Sequence, residues 1–392
     1  MRFESYENGT PGGKTRSKMR FNRMDEQWLR QQLVYLLPMT IHVIGLLLLH
    51  LAPESFDHNL SAKRKRDEPT IGEPEQQQQQ YVVPIYDTHH RDFVHFVPLY
   101  KELVFDLDVH DFDRFCECAA HGRKTLCHDC WLHIEGAYFV MRFILTRLFG
   151  YAEANILTVF SGGKGIHCFV NDARAMRLTQ EQRFFMYDTI RVESGKNHTN
   201  EMAADASLCA WITKYATADL TQRLESLFLS HVVASRNLFV TCAAFRRWVI
   251  DKLALHYPVT HSLLLKSREW QDVTTDSSLV WATLQALEIY EYNSGGNKIG
   301  ASRFLVYRLF YPIIDKGPLD MSHSIKLPFS IHITTRNIAL PIDQAFIESH
   351  DKESQIVTLE ALYSTHITRR PVPPLFTRGV ALLQEWLPLY PR

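Results

Sequence analysis

Asp106 and Asp108 stand two residues apart in the run Glu102-Leu103-Val104-Phe105-Asp106-Leu107-Asp108. Its alternation predicts a strand, with Leu103, Phe105 and Leu107 on one face and Val104, Asp106 and Asp108 on the other. Two carboxylates on one face repel each other unless a cation sits between them. Hard divalent ions such as Mg²⁺ prefer carboxylate oxygens, and pairs of such ions serve phosphoryl and nucleotidyl transfer. The spacing alone also fits the polar outer face of an edge strand, with Asp111 and Asp113 continuing an acidic turn.

A second group of chemical residues follows at once. Cys116-x-Cys118 and Cys127-x-x-Cys130 are two close pairs, the pattern by which soft ligands gather around tetrahedral Zn²⁺. His121 and His128 are alternative ligands. With no acid or base partner beside it, such a site is structural. The chain has seven cysteines, an odd number, of which Cys168, Cys209 and Cys242 are scattered. That argues against a secreted disulfide framework and for a reducing compartment.

Third comes Ser161-Gly162-Gly163-Lys164-Gly165-Ile166-His167. It lacks the strand-to-helix setting and the Gly-Lys-Ser/Thr ending of a P-loop. Its glycines can still turn backbone N–H groups toward an anion, and Lys164 adds a positive charge. His167 falls on the same strand face as Phe169. A plain hairpin turn would use the same glycines.

Several elements must position these residues. Glu102–Asp108, Ile156–Phe160 and Ile166–Val170 read as strands, the last two joined by the glycine turn. Trp131–Leu148 reads as an amphipathic helix, with Ile134, Tyr138, Met141, Leu145 and Leu148 on one stripe and Gly150 past its end. From about 181 to 295 the pattern is helical, around Leu208–Leu229, Val240–Tyr257 and Ser278–Tyr292. Ser330–Ile342 reads as two strands about a turn at Thr335-Arg336-Asn337, and Val380–Leu389 as a closing helix. The expectation is an α/β fold: a mixed sheet core, a helical insertion at about 181–295 and a small zinc-binding module at about 114–131.

Residues 1–80 read as an N-terminal extension before a globular domain at 81–392. The first thirty residues are polar and basic, with no secretory leader. Leu33–Ala52 is apolar and long enough to span a bilayer, but Pro38, His42, Gly45 and His50 interrupt it. It reads as a buried or partner-docking helix, and membrane contact is not expected. Residues 61–80, with Lys63-Arg64-Lys65-Arg66 and the glutamines Gln76 to Gln80, form a linker too polar to order itself. The basic block is a nuclear address or a solvated charge run. Lys plus Arg equals Asp plus Glu, at 43 each. A protein that grips duplex DNA unaided is usually basic, so zero net charge points to a local basic patch or to a partner that supplies the grip.

Taken in order, these motifs resemble the archaeal–eukaryotic DNA primase small (catalytic) subunit family. Lys101 to Asp108 with Asp111-Phe112-Asp113 looks like its catalytic strand. Cys127-His128-Asp129-Cys130-Trp131 looks like the end of its cysteine cluster, and Ser161 to Val170 like its strand–turn–strand. Tyr311-Pro312-Ile313-Ile314-Asp315, followed by Ser324 to His332, is similar to its third motif. The resemblance implies a primase fold that makes short RNA primers on single-stranded DNA from ribonucleoside triphosphates. Asp106, Asp108 and a third aspartate would hold two Mg²⁺ or Mn²⁺ ions. That third is Asp315 by its distance from Lys326, with Asp320 as the alternative. Ser161, Lys164, His167, Lys326 and His332 would contact the nucleotide, and Cys116, Cys118, Cys127 and Cys130 would bind Zn²⁺.

A large primase subunit as heterodimer partner, a DNA polymerase alpha-like complex and a nuclear location are also implied. Two departures bear on this. Gly163 and Lys164 stand where the family usually has two basic residues, and the family's upstream Arg-Glu-Phe motif is not recognisable, since His90-Arg91-Asp92-Phe93 lies too near Asp106. A primase-polymerase that extends with deoxynucleotides, or a zinc-stabilised replication scaffold without catalysis, are the competing readings.

Overall fold

A computed structural model describes residues 101–109, 126–192, 201–272, 276–293, 299–321, 323, 325–349, 351–368 and 370–387. The expectations for residues 1–80, the linker and apolar run included, lie outside the described residues, as do Asp111, Asp113, Cys116, Cys118 and His121. Of the zinc module only residues 126–131 are described.

Five strands form one sheet. β1 is Leu103–Asp108, β2 Ile156–Phe160 and β3 Gly165–Val170, as their alternation and β-branched content predict. Two short strands, β4 Ile314–Asp315 and β5 Pro341–Ile342, close the edges. The order is β4-β1-β3-β2-β5. Every pairing is antiparallel, so the sheet is not mixed as the sequence suggested. The tight β2–β3 hairpin permits only antiparallel pairing, and β1 then adds beside β3. Pro341 lacks an N–H and is tolerated because β5 is an edge strand.

Helix α1, His128–Phe143, continues as a wider π turn over Ile144–Leu148 and stops at Gly150, whose φ is +70°. The sequence suggested one buried stripe. Instead α1 is buried around its whole circumference from Cys130 to Met141. It lies between two layers, and a helix apolar on all sides belongs in such a core. On the sheet side, Trp131 meets Phe160 with ring centres 5.4 Å apart. Phe160, Ile166 and Leu107 share a cross-strand row on the face opposite the aspartates. On the helical side, His133 lies 6.5 Å from Phe310.

The helical region holds α2 Gln180–Ile190, α3 Glu201–Tyr215, α4 Ala218–Leu227, α5 Ala243–His256, α6 Pro258–Lys266 and α7 Ser277–Asn293. α8, Ala301–Phe310, carries the run beyond residue 295 and leads into β4. The helical segment expected around Leu208–Leu229 is made of two helices, with a break after Tyr215. The Thr217 side chain accepts the Leu220 N–H at 3.3 Å and starts α4 afresh.

Thr335-Arg336-Asn337 does form a turn, with Arg336 at φ +65°. Its arms are not the two regular strands expected: Ile331 and Ile338 make one isolated bridge. Thr335 and Asn337 instead reach across to the β2–β3 loop. The closing helix α9 spans Pro374–Trp386, earlier than expected, because Pro374 suits a first turn. Trp386 fixes it to the hairpin base, donating from Nε1 to the Asn155 carbonyl and accepting from Asn171 Nδ2, both at 3.0 Å. Among the described residues no helix is long and apolar enough to cross a membrane.

Candidate active site

Register builds the site. Asp315 on β4 pairs across from Asp106 on β1, and Asp106 pairs across from His167 on β3. Residues directly opposite in an antiparallel pair project to the same face, so Asp315, Asp106 and His167 form one row across three strands. Asp108, two residues on, shares their face and stands opposite Gly165, which has no side chain. Asp315 is exposed and accepts the Gly317 N–H at 3.0 Å. Asp320 lies beyond a tight turn at Gly317–Leu319, and its carbonyl accepts the Lys101 ammonium. Geometry therefore brings Asp315, not Asp320, to the pair.

Charge is crowded here. Burial, then Asp108 and Asp315, push the Asp106 carboxyl up to about 7, against the pull of Lys326. A bound cation would relieve that repulsion, so the carboxylates fit divalent metals. Among the described residues no three His, Cys, Asp or Glu side chains are gathered closely enough to cage a metal by themselves. Such ions keep several waters and take oxygens from substrate phosphates. His167 is 5% exposed, with Nε2 3.5 Å from Asp106 Oδ1. Burial and then the Lys326 charge pull it down to about 4. It is therefore a neutral imidazole at physiological pH, a hydrogen-bonding group rather than a cation. Lys326 itself is pulled down by burial and up by Asp106 and Asp108.

The glycine loop is held from within and from outside. Ser161 Oγ accepts the N–H groups of Gly163 and Gly165, each at 3.3 Å. The Gly162 carbonyl accepts Thr335 Oγ1 at 2.6 Å and Asn337 Nδ2 at 3.0 Å. Gly162 has φ +78°, which L side chains rarely adopt, and a Cβ there would fall 2.8 Å from His332 Cβ. A Cβ on Gly163 would fall 2.8 Å from His332 Nε2. Both glycines thus let His332 close on the loop. His332 Nδ1 accepts the Thr335 N–H at 3.3 Å, and burial followed by the Lys326 charge lowers its pKa. Lys164 is half-buried at the loop's end, with its carbonyl accepting the Val109 N–H at 3.3 Å. Gly162 and Gly163 therefore meet His332, while Lys326 lies within electrostatic reach of Asp106, Asp108, His167 and His332.

Sequence reasoning missed the groups that hold this array. Lys101 is buried, and its ammonium donates to the carbonyls of Pro318 at 3.0 Å, His323 at 2.8 Å and Asp320. Burial and then Arg183 pull Lys101 down to about 8. Arg183, also buried, donates to the Glu102 carbonyl at 3.0 Å, to Ala175 at 3.2 Å and to Leu178 at 3.1 Å. Thr335 and Asn337 were read only as turn formers. Lysine directly before an apolar strand was the one available signal, and lysine there is ordinarily a surface residue.

Of the cysteine cluster, Cys127 and Cys130 are described. Their Sγ atoms lie 3.5 Å apart without a disulfide. Two thiolates on one tetrahedral zinc, each at about 2.3 Å, would lie roughly 3.8 Å apart. Cys127 precedes the first turn of α1, whose leading N–H, that of His128, donates to Glu353 Oε1 at 2.7 Å. The separation suits two ligands of one zinc, and Cys116 and Cys118, the other ligands expected, lie outside the described residues.

A family model for the DNA primase small subunit matches residues 105–344, more than half of the chain. The chain is similar to the DNA primase small subunit of Saccharomyces cerevisiae, at 27% identity over 67% of this chain and 62% of that protein. It is similar to that of Schizosaccharomyces pombe, at 26% over 67% and 58%, and to that of Caenorhabditis elegans, at 24% over 68% and 65%. The matched part thus spans about three fifths of these relatives' length. The match begins within β1 and takes in the cysteine pair, the glycine loop, Asp315, Lys326 and His332, and the chain belongs to the DNA primase small-subunit family.

Proposed function

We propose that this chain is a primase catalytic subunit, which makes short RNA primers on single-stranded DNA by joining ribonucleoside triphosphates during replication. The observation that carries the reading is the row Asp315–Asp106–His167, with Asp108 beside it on the same face of the sheet. It occurs in a member of the primase small-subunit family.

Asp106, Asp108 and Asp315 would hold two Mg²⁺ or Mn²⁺ ions. When bound, these ions supply the charge that favours a deprotonated 3′-hydroxyl and a leaving pyrophosphate. The protein's own groups bind and orient the triphosphate. Lys326 and Lys164 offer cations to its oxygens. His167, neutral, donates a hydrogen bond without adding charge beside the carboxylates. Ser161, tied to the loop's own N–H groups, shapes the loop and presents its hydroxyl at the site. His332 closes over Gly162 and Gly163 and contacts the phosphates from the other side. Cys127 and Cys130, with Cys116 and Cys118, would hold a structural Zn²⁺ that orders the segment after β1.

Zero net charge supports a further part of this reading: a large primase subunit, within a DNA polymerase alpha-like complex, helps to grip the template. The Lys63–Arg66 block supports a nuclear location.

The test is incubation of the purified chain with single-stranded DNA, labelled ribonucleotides and Mg²⁺ or Mn²⁺, beside an Asp106→Ala/Asp108→Ala control. Short labelled oligonucleotides from the wild type alone are expected. A preference for deoxynucleotides would move the assignment to a primase-polymerase. No product, even with a large subunit added, would overturn the catalytic reading. Bound zinc, measured by mass spectrometry, is expected at one ion per chain and is lost in Cys127→Ser/Cys130→Ser.

A further inference from the structure

Helix α2 stands beside Asp315 and is fastened there at three points. Arg183 hangs it from the carbonyl of Glu102 at the start of β1, at 3.0 Å. The Met321 N–H donates to Gln180 Oε1 at 2.7 Å, and the Tyr311 hydroxyl donates to the Ile190 carbonyl at 2.6 Å. Phe184 and Tyr187, three residues apart, lie on one side of the helix. Lys316, the residue after Asp315, has its ammonium 3.9 Å from the Phe184 ring centre and 5.9 Å from that of Tyr187. Arg191 reaches the Tyr187 ring at 5.7 Å and pairs with Asp188 at 3.2 Å. Among the described residues no carboxylate lies within ion-pair distance of Lys316. Both cations are exposed, both rings are partly so, and Phe185 on the same helix is 74% exposed.

Cations alternate here with aromatic rings: Lys316, Phe184, Tyr187, Arg191. A face that only packed would bury its rings, and one that only solubilised would carry no rings. This composition suits a single nucleic-acid strand, whose bases stack on rings and whose phosphates meet cations. The surface adjoins β4, an edge strand with no further strand beyond it among the described residues. A strand passing the three aspartates can therefore leave the sheet on this side.

We propose that Phe184, Tyr187, Lys316 and Arg191 form a stacking platform for the single-stranded DNA template as it passes Asp315. The identity of the strand rests on the primase reading; the binding itself does not require catalysis. The test is therefore an equilibrium one. Anisotropy of fluorescein-labelled oligo(dT) is measured with the full chain without nucleotides or added Mg²⁺ or Mn²⁺, where no synthesis occurs.

Phe184→Leu/Tyr187→Leu keeps apolar bulk beneath Lys316 but removes the π faces. Its affinity should fall about tenfold or more, with the salt dependence unchanged. Lys316→Ala should instead reduce the slope of log affinity against log salt by about 0.7. Thermal unfolding checks that both variants fold, and Mn²⁺-dependent binding of a fluorescent ATP analogue should be unchanged in both. Absent primer synthesis with the leucine effect intact would count against the primase reading and leave the platform standing. Wild-type oligo(dT) affinity in the leucine variant, equal loss of ATP-analogue binding, no oligo(dT) binding by the wild type, or a platform effect confined to oligo(U), would each overturn the proposal.

Discussion

At the residue scale, the site trades stability for charge. Asp106 is mostly buried and faces two further carboxylates without an equal number of cations. Its carboxyl is held well above the usual range by burial first and by Asp108 and Asp315 second. Arrangements of this kind are kept for function rather than for stability. Asp106→Asn should therefore abolish primer synthesis yet raise metal-free stability by about 1–2 kcal/mol at pH 8, where the wild-type repulsion is expressed. Urea unfolding without added Mg²⁺ or Mn²⁺ reads this directly. Added Mn²⁺ should stabilise the wild type and leave the variant nearly unmoved. A variant less stable than the wild type without metal would mean that Asp106 serves the fold. The pair Asp106 and Asp108 was legible because a strand's period of two places both on one face. That Asp315 is their neighbour rests on a strand pairing over two hundred residues away, and no local pattern encodes such a register. Spacing to Lys326 pointed to Asp315, but only the pairing of β4 with β1 separates it from Asp320.

At the element scale, the described residues between Asp315 and Lys326 form no regular structure beyond the short turn Gly317–Leu319, so single contacts must fix them. Lys101 does so by giving its three protons to the carbonyls of Pro318, Asp320 and His323. This clamp sets where the chain returns to the sheet after Asp315, and hence where Lys326 meets Asp106 and Asp108. Lys101→Met matches the length of the side chain but leaves three carbonyls without that donor. The expected cost is about 2–4 kcal/mol, with faster amide exchange at residues 317–326 and a raised KM for the nucleotide. A stable variant with an unchanged KM would show that the turn at Gly317–Leu319 holds itself. The strands and α1 were legible from hydrophobic pattern, although α1 buries its whole circumference and not the one stripe its period suggested. The clamp was not, because a lysine's role depends on what lies opposite it in space. The same holds for Thr335 and Asn337, whose partner is a loop some 170 residues earlier.

At the scale of the whole molecule, the helical block must hold α8 steady, because α8 leads through Tyr311 into Asp315. One buried charge cluster ties the two. Asp205 on α3 is fully buried and meets Lys252 Nζ at 2.6 Å, His256 Nε2 at 2.9 Å and Arg308 Nε at 2.7 Å. Lys252 and His256 belong to α5, and Arg308 belongs to α8. Burial pushes the Asp205 carboxyl up, but His256, Arg308 and Lys252 outweigh it and hold the group at about 2, below its ordinary 3.8. The folded form thus favours the ionised carboxyl. Its stabilisation is fully present above pH ~4 and is lost as pH falls from there to about 2, amounting to roughly 2 kcal/mol. Asp205→Asn leaves two buried cations without their anion and should cost about 3–5 kcal/mol at pH 7. The gap between wild type and variant should narrow as pH drops from 4 to 2, since protonation does to the wild type what the substitution does to the variant. Urea midpoints at pH 7, 4, 3 and 2 test this. Because the cluster joins α3 and α5 to α8, the variant's loss of primer synthesis at pH 7 should track its loss of folded population. A gap that stays constant down to pH 2 would show that the Asp205 charge is not what binds the helical block to the catalytic sheet.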